Sequence, residues 1–530
     1  MVQNQLLQGA IAKEVTRPLR SEKNGLVPIS QLPPELLARI FQFVADDKSR
    51  ESEPLKRITF SHVSYHWRDV ALSTPSLWRV ISLGFPDCLT VMLQRSKMAD
   101  LILYAGPGLK TSNYTQIFQL TLSHMERVCE ITICFCRRGS QAIGHIHEML
   151  SRFPKSAPRL RSLSITSSDA DSKYTMSLPK GFPLSETPRL RQLVLARCNF
   201  LDWDSKLLTG LTSLSVEYIA RNNHPSARQV LNALRRMPAL SNLVLRHMSL
   251  FFTSDSNIPR EGPVHLPELK NLHLAGRLND ISFILSHVVI NPSASIELDS
   301  FDKRDRSAPP DIPNFISSFS LFCNTYESRP VDLDLETSSY EADSLDLCLA
   351  TYNTEPFDGN YHRRTTRPQF SLRLYMKILD DDDEHNAGSI LQKILSMIRP
   401  MSLRGLNWYN SDHGITPSLV VDTFGHLPNL ERIYVEETFR GPFIDALIHK
   451  PDDYNSSPAA WSYVAFPQLQ KLELSGRRIE GEEIRALQDC LIERCERNAP
   501  IQALTIQPGV DVAKEDVALL REIVVDFKVK

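Results

Sequence analysis

The sharpest local pattern in the chain is ISQLPPELLARIFQFV, residues 29–44. There Leu36, Leu37, Ile40, Phe41 and Val44 recur at spacings of three and four, one apolar stripe on a helix. Pro33 and Pro34 open it, where a first-turn residue needs no amide donor and a fixed φ suits the turn; Glu35 follows at the positive end of the helix. A polar stretch, ADDKSRESEP (45–54), separates this helix from a second run in which Leu55, Ile58, Val63, Trp67, Val70, Ala71 and Leu72 keep helical periodicity. Ser73-Thr74-Pro75 breaks that run, and Leu77-Trp78 adds an aromatic anchor. The pattern predicts two or three further short helices. A unit of roughly 55 residues is near the lower limit for a self-sufficient core, so part of its apolar surface is expected to be completed by another chain.

A second pattern recurs beyond it. PRLRSLSI begins at Pro158, PRLRQLVLARCNF at Pro188, GLTSLSV at Gly210, PALSNLVLRHMSL at Pro238, PELKNLHLAGRL at Pro267, PNLERIYV at Pro428 and PQLQKLELSGRRI at Pro467. The first leucines fall at 160, 190, 211, 240 and 269, steps of 30, 21, 29 and 29 residues, and later ones at 430 and 469. Weaker copies lie at Ile131/Ile133, Ile296/Leu298, Leu333/Leu335, Leu372/Leu374, Leu403/Leu406 and Leu504/Ile506. Leu-x-x-Leu-x-Leu at such a period predicts leucine-rich repeats, in which no single repeat can bury its leucines and neighbours must stack. Helices are predicted between the strands at 227–237, 280–290, 388–398 and 482–498, and long loops in 300–400, where FDKRDRSAPPDIP and ETSSYEADSLDLCLATYNTEPFDGNYHRRTTRPQ interrupt the rhythm. Cys198, three residues after the last leucine of its repeat, is expected to be a buried side chain that stabilises the turn.

Composition narrows the class. At 530 residues the chain exceeds the roughly 250–300 at which single cores stop growing, so several domains or an elongated repeat are expected. Lys+Arg 60 against Asp+Glu 62 leaves no global field that would recruit nucleic acid or an anionic membrane. Nine cysteines fit no paired framework and suit a reducing compartment. The first residues lack a basic segment followed by an apolar run, and no run approaches ~18 apolar residues, so an intracellular protein, cytoplasmic or nuclear, is expected.

Chemistry is hard to place. Cys129, Cys134, Cys136, His145 and His147 gather in one stretch, but Cys-x-Cys with His-x-His matches neither usual zinc spacing; small fillers on a strand are expected. The acidic run at 379–386 lacks the glycine and distal glutamate of a calcium loop, and Gly106-Pro107-Gly108-Leu109-Lys110 is too short for a phosphate loop. No catalytic residue, metal site or cofactor is expected.

The N-terminal wording carries a resemblance. Leu32-Pro33-Pro34-Glu35-Leu36, Ile40-Phe41, Val63-Ser64-Tyr65-His66-Trp67-Arg68, Ala71 and Thr74-Pro75-Ser76-Leu77-Trp78 match, in order and spacing, the pattern of an F-box of the type found in many fungal proteins. The chain departs at Ser64, Tyr65 and His66, where the family usually has Cys-Arg-Arg. The resemblance implies an α/β chain: a flexible lead at 1–27, a three-helix F-box-like module at 28–85, and an irregular leucine-rich-repeat solenoid at 86–530 with parallel strands on its concave side and helices and loops on its convex side. It implies a non-catalytic substrate receptor of a Skp–cullin–F-box ubiquitin ligase. By the same resemblance Leu32, Pro33, Leu36, Ile40, Phe41 and Trp67 would contact the Skp-type adaptor, and through it a cullin, while Val44, Val63, Val70 and Trp78 would be internal. From the repeat pattern, Arg191, Gln192, Val194, Asn242, Val244, Asn271 and His273 are candidates to face an unidentified target protein. The alternative expectation is a repeat scaffold unconnected to ubiquitin transfer.

Overall fold

The computed structural model describes residues 27–45, 54–84, 86–106, 119–135, 148, 150–167, 176–177, 186–199, 202–218, 225–247, 250, 262–300, 311–325, 330–338, 344–352, 368–377, 387–398, 400–410, 416–437, 443, 446–447, 464–476, 481–507 and 514–529. Residues 1–26 of the lead expected at 1–27, the acidic run at 379–386 and residues 136–147 lie outside them. Two compact units divide the chain, Met1–His224 and Pro225–Lys530.

The first unit opens with helices. Pro34–Ala45 forms α1, and Tyr65–Ser73 forms α2. Short 3-10 segments, Pro54–His62 and Pro75–Trp78, precede and follow α2. Ser64 caps α2: its hydroxyl accepts the Trp67 amide at 3.2 Å, satisfying an N-terminal donor that a cysteine would serve poorly. The α2 run ends at Thr74, as Pro75 requires.

Six strands of this unit pair in parallel in chain order: β1 (Val80–Ser82), β2 (Leu101–Ala105), β3 (Val128–Phe135), β4 (Ser162–Ser167), β5 (Gln192–Ala196) and β6 (Ser213–Glu217). Strand alternation sends Ile81, Leu103, Ile131, Leu163, Leu193 and Leu214 to one buried face in a single register row. Between β1 and β2 runs α3 (Pro86–Arg95). The buried Arg127 donates to the Leu93 carbonyl in the last turn of this helix and to the Ala99 carbonyl beyond it, so its cation closes the helix C-terminus. Arg197 and Tyr218, each just past a strand, hold φ of 58° and 56°, a left-handed turn that non-glycine residues adopt only when packing enforces it; the Arg197 guanidinium lies 4.4 Å over the Tyr218 ring.

Cys198 is fully buried after β5, with its sulfur 3.4 Å from the Ala196 carbonyl and 3.5 Å from that of Ile165. Burial pushes its thiol well above the ordinary range. Iodoacetamide at pH 8 is therefore expected to spare Cys198 in the native chain and to label it after unfolding in urea. Labelling of the native chain at the rate of a free thiol would contradict this placement.

The second unit holds eleven described strands in its main sheet. In chain order they are β7 (Asn242–Arg246), β8 (Asn271–Gly276), β9 (Ser295–Ser300), β10 (Asp332–Ser338), β11 (Ser344–Tyr352), β12 (Phe370–Lys377), β13 (Gly405–Asn410), β14 (Arg432–Glu437), β15 (Lys471–Gly476), β16 (Ala503–Ile506) and β17 (Asp526–Val529). In space β9 pairs with β12, then β11, β10 and β13 follow; β11 runs antiparallel to both its neighbours and every other pairing is parallel. This corrects the expectation of a loop over 344–352 and of strands all running one way. SLDLCLATY is a strand whose Leu347 and Leu349 are buried.

Helices follow the periodic stretches. Ala227–Arg235 (α4) starts from a Ser226/Gln229 capping box, and Ala387–Ile398 and Gly481–Glu496 lie where expected. The helix expected at 280–290 is Leu278–His287 (α5), and Val288–Ile290 instead pairs with Val264–Leu266. Three β-branched residues in succession favour the extended chain there. Among the described residues no helix is long and apolar enough to cross a membrane, and no group of three or more His, Cys, Asp or Glu is arranged to hold a metal ion. Cys129 and Cys134 fall at opposite parity on β3, and only Cys129 is buried.

Candidate partner-docking site

The stripe read along α1 divides in three dimensions into two adjacent strips. Leu37 and Phe41, four residues apart, are fully buried. Phe41 stacks on Phe60 at 4.6 Å between centroids and meets Trp67 at 4.9 Å. Leu36, Ile40, Phe43 and Val44 lie on the neighbouring strip and remain exposed, at 48%, 40%, 82% and 42%. At about 100° per residue these four span about a quarter of the helix circumference. The largest of them, Phe43, was missed in the sequence although it stands three residues beyond Ile40.

Several expected placements are corrected. Phe41 is a core residue, because the aromatic groups of the following segment close over it, and it offers no surface to a partner. Trp67 is half-buried against it. Val44 and Val63, expected inside, are exposed; Val70 and Trp78 are buried as expected. Pro33 is exposed and Leu32 half-buried, at the end of α1 where the Leu36 amide donates to the Pro33 carbonyl at 3.0 Å.

The base of the helical segment is firmly tied. The Trp78 indole N–H donates to the Ala71 carbonyl at 2.7 Å, and the Arg95 guanidinium lies 4.5 Å over the Trp78 ring. Gln42 donates to the Ser76 hydroxyl, linking α1 to the segment that leads into β1. The inner strip thus builds the small core, and the outer strip has no covering group among the described residues.

The F-box-like family model matches residues 29–84. That span contains both strips of α1, the Ser64 cap and Trp78, so the chain carries an F-box-like domain. Domains of this kind bind Skp-type adaptors, and proteins that carry them are generally non-catalytic substrate receptors of ubiquitin ligases. A comparison with the curated proteins finds no relative of the chain.

The candidate target-facing residues fall in both units. In the first, Gln192 and Val194 point to the face of β5 opposite its buried leucines, while the Arg191 guanidinium is spent on the Leu190 carbonyl at 2.8 Å. In the second, Asn242 pairs in register with Asn271, and Val244 with His273. His273 is held between two charges: Arg246 Nε donates to its Nε2 at 3.2 Å, and its Nδ1 lies 2.9 Å from Glu297. In that arrangement Nε2 is the acceptor and Nδ1 faces the carboxylate.

Proposed function

We propose that this chain is the non-catalytic substrate-recognition subunit of a Skp–cullin–F-box ubiquitin ligase. The F-box-like domain takes the adaptor through the exposed strip of α1, and the strand-rich remainder, an irregular leucine-rich-repeat arc by its sequence phrase, takes a target protein. The observation that carries this reading is the open ridge of Leu36, Ile40, Phe43 and Val44 beside a fully packed inner strip. Four large apolar groups left in water on one helix cost free energy that docking on a second chain recovers, about 25 cal/mol for each Å² of apolar surface covered. Pro33 and Leu32 extend the same contact. Ubiquitin transfer then gains from holding the target near a charged enzyme elsewhere in the assembly, and needs no acid, base or nucleophile from this chain.

The full chain, mixed with a purified Skp-type adaptor, is expected to elute with it as one species in size-exclusion chromatography. Separate elution at concentrations well above those of a specific complex would overturn the reading. Candidate targets are sought by mass spectrometry of proteins that co-purify with the full chain.

A further inference from the structure

On the face of the second unit opposite its buried leucines, three side chains of one register row stand out: Glu336 on β10, Tyr409 on β13 and Glu436 on β14. Adjacent strands lie about 4.8 Å apart, so the two glutamates flank the tyrosine at a mutual spacing of about 10 Å. Both carboxylates are exposed and the ring between them is half-buried. Tyr434, one step toward the strand starts, packs on Tyr409 with centroids 5.6 Å apart and donates its hydroxyl to Glu436 at 3.0 Å. The buried Tyr434 ring therefore supports the half-buried Tyr409 ring, and its hydroxyl aims one of the two carboxylates. The Glu336 carboxylate makes no hydrogen bond or ion pair among the described residues.

The neighbouring row is also acidic, but its groups are engaged within the sheet: Asn407 donates to Asp334 at 2.6 Å, and Gln507 donates to Glu473. The cations Arg432 and Lys471 stand at the strand starts, and Arg432 is tied to Asp332 at 3.2 Å. Toward the strand ends the exposed Arg373 of β12 shares this row, two strands from Glu336 and in register with Asp299 of β9, and the face on either side of Tyr409 is carboxylate with an aromatic floor. An ionised carboxylate only accepts hydrogen bonds, which disfavours phosphate and favours a cation. A guanidinium or ammonium within about 6 Å of the ring gains cation–π attraction, with a carboxylate on either side.

We propose that Glu336, Tyr409 and Glu436 form a docking point for an arginine or lysine side chain of an unphosphorylated basic segment in a partner protein. Only the identity of that partner as the ligase target rests on the receptor reading above. The probe is a fluorescein-labelled nona-arginine peptide, titrated by anisotropy into the full chain at low salt, with nona-glutamate as counterpart. Binding is expected to weaken about tenfold or more in E336Q/E436Q and severalfold in Y409A. It should persist in Y409F, which keeps the ring, and in E297Q, which alters a carboxylate on another strand. No binding of nona-arginine, equal binding by E336Q/E436Q, or a preference for nona-glutamate would overturn the proposal. Adaptor capture is measured on the same variants. Capture with no peptide binding defeats the docking point alone, whereas peptide binding with no capture defeats the receptor reading and leaves the docking point standing.

Discussion

Replacing Ile40 and Phe43 together by aspartate is expected to abolish capture of a Skp-type adaptor while the F-box-like helices stay folded. Both side chains are exposed, so neither substitution buries a charge in the free chain. At the centre of an interface each lost anchor of this size costs about 2 kcal/mol or more, and two of them weaken binding about a thousandfold. Phe41→Ala separates the two strips. That ring is buried on Phe60 and Trp67, and its loss costs about 3–5 kcal/mol of stability, comparable to the whole stability of so small a module. Calorimetric titration with the adaptor, beside thermal melts of each variant, reads both effects. Unchanged affinity in I40D/F43D would remove the ridge from the interface, and a melt lowered as far as that of Phe41→Ala would show that the ridge belongs to the core.

Gly405→Ala is expected to destabilise the second unit by about 3–5 kcal/mol. Asp332, Gly405 and Arg432 stand in register on three adjacent strands, and the Asp332 carboxylate reaches across the glycine to Arg432 at 3.2 Å. A Cβ on Gly405 would fall inside the van der Waals radius of the Asp332 carboxylate, while only touching Arg432 Nη2 at 3.4 Å. The glycine serves here by its missing side chain. Forcing the carboxylate aside leaves a nearly buried charge without its cation, the costly way to break such a pair. Asp332→Ala in the same background removes the clash, and Arg432, whose side chain is 23% exposed, can turn to water, so the double variant should lose less than the sum of the two single changes. Urea denaturation of the four proteins measures the coupling. Additive losses, or a negligible effect of Gly405→Ala, would dismiss this account.

Both predictions turn on features that differ in legibility. The register rows of buried leucines follow from Pro-x-Leu-x-x-Leu-x-Leu, because alternation along a strand is local and each phrase sends its leucines to one side. SLDLCLATY carries the same alternation, yet its flanks read as loop, and nothing local says that it runs against its neighbours. Gly405 was invisible for a related reason, since its partners lie 73 residues before it and 27 after it in the chain.

Near the N-terminus the sequence alone determined where helices begin and end, through Pro33, Pro34, Thr74 and Pro75, and it determined that α1 carries more apolar surface than its own turns can hide. Backbone sterics and side-chain period act within a few residues and need no knowledge of the rest. Only tertiary structure decided that Phe41 turns inward while Ile40 and Phe43 stay in water, and that Glu336, Tyr409 and Glu436 share a row. Neighbours on a helix differ by about 100°, so what a side chain meets depends on which distant segment closes over that side, here Phe60 and Trp67. Strands far apart in the chain meet only through the order in which the sheet assembles them.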